Sequence, residues 1–155
     1  VVIGFVTDPA VRSTDLAPGG SGLGQVYTFS GSTATPFADV AALESSNPAG
    51  RELNSNPFHL AWSPDGLLAT DSGSNTLVSI GADGTVTNVA TFLARNMGAG
   101  FPSDSVPTGV AVGPDGNYYV AELTGFPFVQ GAAHIYRITP EGVVTAASVL
   151  LLSKL

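Results

Sequence analysis

The sequence contains no cysteine. Disulfide staples, thiolate nucleophiles and zinc–thiolate centres are therefore excluded. Charge is also scarce: 11% of residues are Asp, Glu, Lys or Arg, where globular chains average about 25%. The positive side is nearly empty, with Lys154 and four Arg against twelve acidic residues, a net charge of −7. A basic patch able to neutralise phosphates is missing, which argues against a nucleic-acid partner and against an anionic membrane surface. Uninterrupted apolar runs are short, well below the ~20 residues of a membrane-spanning helix. The opening Val1-Val2-Ile3-Gly4-Phe5-Val6 is too short and lacks the basic flank of a signal peptide, so we read the chain as a mature or truncated product.

What the sequence has instead is Gly, 19 residues, and Pro, 11 residues, punctuating short apolar blocks. Such punctuation is the composition of an all-β fold. The blocks repeat. Asn56-Pro57-Phe58-His59-Leu60-Ala61-Trp62-Ser63-Pro64-Asp65-Gly66 is matched fifty residues on by Val106-Pro107-Thr108-Gly109-Val110-Ala111-Val112-Gly113-Pro114-Asp115-Gly116. Each copy continues into a second block, Leu67–Asp71 or Asn117–Glu122, and then a third ending in a further turn. Those turns are Gly81-Ala82-Asp83-Gly84 and Thr139-Pro140-Glu141-Gly142. A fourth, β-branched run follows each, Thr85–Ala90 and Val143–Ala146. Pro presets φ, Asp bonds its own turn backbone, and Gly accepts positive φ, so each unit predicts four strands joined as an antiparallel meander.

A four-stranded unit with a period of roughly 40–50 residues predicts a β-propeller. We expect a single partial domain over residues 1–155: an incomplete blade at 1–45, a blade at 56–92 and another at 106–151. That is about three blades, half of a six-bladed ring. In the incomplete blade Val1–Phe5 reads as the second strand, Gln25–Phe29 as the third and Phe37–Ala41 as the fourth, with Thr7–Gly24 a long loop. A closed propeller needs at least four blades. The expected partners are thus a second copy, or another propeller chain, completing the ring.

The stretch Asn56–Gly142 resembles the ScyD/ScyE family of six-bladed, NHL-like propellers. The run Val106–Gly116, continuing Tyr118-Tyr119-Val120-Ala121-Glu122-Leu123-Thr124-Gly125-Phe126-Pro127-Phe128, carries the resemblance best, and Gly22-Leu23-Gly24-Gln25-Val26-Tyr27 extends it upstream. The resemblance implies a secreted, extracellular or periplasmic propeller; named members are associated with synthesis of the sunscreen scytonemin. The terminal Val149–Leu155 departs from the expected entry into another blade.

Candidate site residues each have a chemical and a plainer reading. Phe58 and His59 lie on an expected inner strand lining a central channel, where His59 offers a ligand or base; the plainer reading is a channel-filling polar side chain. Asp71 and Glu122 occupy matching positions after the second strand of their units. Two such carboxylates offer a metal site for Ca²⁺, or each caps its own turn. Phe126 and Phe128 offer an aromatic platform for an apolar or glycan ligand, or plug the space between blades. Nucleophile elbow, P-loop and dinucleotide fingerprints are missing. The expected function is a binding or scaffold protein without evident catalysis. The alternatives are a structural assembly of self-associating arcs, and a Ca²⁺-dependent lactonase- or esterase-like propeller enzyme.

Overall fold

A computed structural model of the chain describes residues 1–2, 4, 8–44, 46, 52–98 and 100–147. Ile3 and Phe5 of the expected opening strand, and residues 148–155, lie outside them. The fold is all-β. Strands β1 (Gln25–Ser30) and β2 (Thr33–Asp39) form a hairpin, followed by the short helix α1 (Val40–Glu44). A four-stranded antiparallel sheet follows from β3 (Pro57–Ser63), β4 (Gly66–Asp71), β5 (Thr76–Ile80) and β6 (Val86–Thr91), in chain order. Two short pairing segments, β7 (Arg95–Asn96) and β8 (Pro102–Ser103), lead to a second sheet of the same order. It comprises β9 (Pro107–Val112), β10 (Tyr118–Glu122), β11 (Ile135–Ile138) and β12 (Val144–Ala147). The repeated sequence units thus become two repeated meanders.

The meanders form because their turns close as the sequence dictates. Gly84, Gly116 and Gly142 donate to Gly81, Gly113 and Thr139 carbonyls at 3.0, 3.0 and 2.8 Å, each a four-residue turn. Strand alternation then sorts side chains between two cores. Along β4, Leu68 packs into a cluster with Leu77, Phe92, Val110, Val120 and Ile138. Ala69 points the other way, into a cluster with Val26, Ala38, Val40, Val78 and Ile80. The β3–β6 sheet is therefore buried on both faces, between the β1–β2 hairpin and the β9–β12 sheet.

The same contact recurs at each stacking step. Gly84, at the β5–β6 turn, has φ +83°, and a Cβ there would lie 2.3 Å from the Phe37 carbonyl oxygen on β2. Gly142, at the β11–β12 turn, has φ +87°, and a Cβ would lie 2.4 Å from the Val89 carbonyl oxygen on β6. Only Gly allows both the backbone conformation and this approach. By this correspondence β2 stands to the first sheet as β6 stands to the second. Hydrogen bonds add to the second step: Thr70 Oγ1 donates to the Thr108 carbonyl at 2.6 Å and Ser72 Oγ to the Pro107 carbonyl at 2.5 Å.

Two expectations need correction in detail. The strand expected at Phe37–Ala41 is Thr33–Asp39, after which the chain turns helical. The cause is Asp39, whose Oδ1 accepts the Ala42 N–H at 3.0 Å as a helix N-cap. The Thr7–Gly24 loop contains two 3₁₀ turns, Pro9–Arg12 and Gly19–Gly22. Arg12 pins them to the hairpin by donating to the Leu23 carbonyl at 3.0 Å and to Asp39 at 2.8 Å. Of the opening strand, Val2 bridges Val26 in antiparallel fashion.

Candidate functional site

Asp71 and Glu122 end the second strands of their sheets, and both are buried. The chain leading into each first strand supplies a serine to its acid. Ser55 Oγ donates to Asp71 at 2.6 Å and Ser105 Oγ donates to Glu122 at 2.7 Å. Asp71 then accepts the backbone N–H of Asn56 at 2.7 Å and those of Gly73 and Ser74 at 3.0 Å each. Glu122 accepts the His134 N–H at 2.9 Å, the Tyr136 hydroxyl at 2.8 Å and the Arg95 guanidinium. Each carboxylate thereby holds four donors, about the full acceptor capacity of the group.

The difference between the two acids follows from loop length. After Asp71 the turn Ser72–Asn75 is tight, so a short side chain reaches its N–H groups. After Glu122 the connection runs from Leu123 to His134, and the longer side chain spans to β11 and to Arg95. Among the described residues no group of three or more His, Asp or Glu converges as a metal site. His134 borders this network, its ring 5.8 Å from that of Tyr136. Its Nδ1 is buried without a hydrogen-bond partner. Burial first, and the Arg95 charge second, hold its imidazole below the usual histidine range.

His59 sits elsewhere. Phe58 is the bulged residue of β3 and is exposed. His59 is also exposed, but its ring leans onto the second sheet, where Nδ1 accepts the Val110 N–H at 3.2 Å. That bond assigns the ring proton of a neutral His59 to Nε2. Phe126 and Phe128 lie in the loop between β10 and β11, exposed, with rings edge to face at 6.3 Å. The structure therefore distributes the sequence-selected residues over four places, namely the Asp71 turn, the Glu122 network, β3 at Phe58 and His59, and the loop bearing Phe126 and Phe128.

A groove that sequence reasoning missed lies between the hairpin and the first sheet. Its volume is about 540 Å³, and it is lined by Val1, Val26, Tyr27, Thr28, Phe29, Phe37, Leu60, Ala61, Trp62 and Leu67. None of the lining residues is Asp, Glu, Lys, Arg or His. Trp62, the sole tryptophan, is 78% exposed at its rim, and Phe29 is 57% exposed. A volume in this range and an apolar, aromatic lining are the attributes of a binding site for an uncharged ligand. The signal in the sequence was alternation: Leu60 and Trp62 are two apart, so both point to the same side of β3.

The electrostatics outside the groove are local. Asp115 is lowered to about 2, chiefly by the Asn117 side chain; desolvation opposes this, and the Asn117 N–H, Tyr119 and Arg137 add donors. Asp83 is lowered by the backbone and hydroxyl of Thr85. Both are turn carboxylates doing structural bonding. No helix of the described residues is long and apolar enough to cross a membrane. No protein-family model, curated protein or solved structure matches the chain.

Proposed function

We propose that the chain is an arc of a secreted or periplasmic β-propeller of the ScyD/ScyE kind, acting as a binding or scaffold module without catalysis of its own. Its ring is completed by association with a second copy or another propeller chain. The observation that carries this reading is the stacking. A two-stranded hairpin and two four-stranded antiparallel sheets of the same strand order lie face to face, with the first strands β3 and β9 packed together. First strands gathered on one side is the arrangement of blades about a common axis. The buried acids support the binding role over an enzymatic one, because their lone pairs are committed to protein donors.

Sedimentation velocity together with negative-stain class averages of the purified chain tests the reading. Disc-shaped particles with a central channel, at a mass of two chains or more, are the expected result. A lone, elongated single chain at micromolar concentration would count decisively against it.

A further inference from the structure

The loop that leads into β1 holds a hollow of its own, apart from the groove described above. Its volume is about 510 Å³, and its lining includes Arg12, Gln25 and Asp39 beside Pro9, Ala17 and Pro18. The two 3₁₀ turns that contribute to it are pressed together: a Cβ on Gly20 would lie 2.9 Å from the Arg12 carbonyl oxygen. Arg12 and Gln25 tie the loop down, donating to the Leu23 and Ser21 carbonyls at 3.0 and 2.8 Å. The walls are thus fixed in advance, which lowers the ordering cost of binding.

The polar groups here are of both kinds. Arg12 commits Nε to the Pro9 carbonyl and Nη1 to Leu23 and Asp39, so among the described residues Nη2 is left to donate. Asp39 commits Oδ1 to Arg12 and to the Ala42 N–H, so Oδ2 is left to accept. Gln25 donates through Nε2 and keeps Oε1. The Asp39 side chain is 35% exposed and stands 2.8 Å from the guanidinium, a pair with no net charge. An anionic ligand would meet the carboxylate and a cationic one the guanidinium, and either repulsion disfavours it. Hydroxyls both accept and donate, so two adjacent hydroxyls can take a proton from Nη2 and give one to Oδ2. Pro9, Ala17 and Pro18 offer apolar surface to the C–H face of a ring.

We propose that this hollow binds a neutral, hydroxyl-rich ligand of the sugar class, held by Arg12, Asp39 and Gln25. The site is formed by one loop and the hairpin that follows it, so it is independent of ring closure.

The chain has four arginines, few enough for each Nε–Hε resonance to be assigned by NMR. The full ¹⁵N-labelled chain is titrated with the methyl glycosides of glucose, galactose and mannose. Glucuronate and the ammonium form of glucosamine serve as charged counterparts. The expected result is a saturable movement of the Arg12 resonance with at least one neutral glycoside, and weaker binding of both charged sugars. Gln25→Leu should weaken binding about tenfold, as loss of a hydrogen bond implies, with an unchanged circular dichroism spectrum. No saturable movement with any of the glycosides would overturn the proposal. So would calorimetric binding that leaves the Arg12 resonance in place, or tighter binding of either charged sugar. Unchanged affinity in a folded Gln25→Leu would overturn it as well; if that variant does not fold, the wild-type titration decides. Ring formation is measured separately by sedimentation, so failure here and failure of the propeller reading are told apart.

Discussion

At the scale of single residues, Glu122 shows how a buried charge is retained. Its side chain is 0% exposed, while that of Arg95 is 27% exposed. A buried carboxylate is tolerable only when donors surround it, and here Ser105, Tyr136, the His134 N–H and Arg95 do so. Glu122→Ala strands all four and should lower the free energy of unfolding by about 3 kcal/mol. Urea denaturation followed by far-UV circular dichroism measures this, and a loss below about 1 kcal/mol would refute the tie. The matching positions of Asp71 and Glu122 were legible in the repeat. Their serine partners lay one step upstream of where the similarity was drawn, at Ser55 and Ser105. Arg95 and Tyr136 were not legible, because nothing in their local sequence indicates which carboxylate they meet.

At the scale of elements, the turns set the spacing of the sheets. Gly84 and Gly116 both have positive φ, +83° and +78°, so Ala at either is strained by roughly 1 kcal/mol. They differ in surroundings: a Cβ at Gly116 meets nothing within 4 Å, whereas at Gly84 it meets the Phe37 carbonyl oxygen at 2.3 Å. Gly84→Ala should therefore lower the thermal midpoint by several degrees more than Gly116→Ala. Differential scanning calorimetry giving equal shifts would show that the turn does not press on the hairpin. Strand identity was readable for both four-stranded sheets, since Gly, Pro and Asp mark every turn. The short helix after β2 was misjudged because Val40 and Ala41 suit a strand, and the N-cap role of Asp39 decides otherwise.

At the scale of the whole molecule, the β3–β6 sheet joins everything. It supplies Leu68 and Leu77 to one core and Ala69, Val78 and Ile80 to the other. Its loss removes the support of both neighbours, so cores that look separate should unfold together, as neighbouring repeats do when their interface is strong. Leu68→Ala, which empties part of the core shared with the β9–β12 sheet, should cost about 3 kcal/mol. It should also move the unfolding transition seen by Trp62 fluorescence and that seen by circular dichroism by the same amount. Transitions that separate in the variant would show two independent units.

The sequence by itself determined the class of fold, the two meanders and the repeat that relates them. Those features rest on local chemistry, turn residues at fixed offsets and the two-residue alternation of strands, and local chemistry is written in order along the chain. The tertiary structure decided the rest: that the middle sheet is covered on both faces, that Glu122 meets Arg95, that His59 leans on Val110, and that the hairpin and the first sheet border an apolar groove. Each depends on which faces meet after folding, and residues distant in sequence carry no local mark of that meeting.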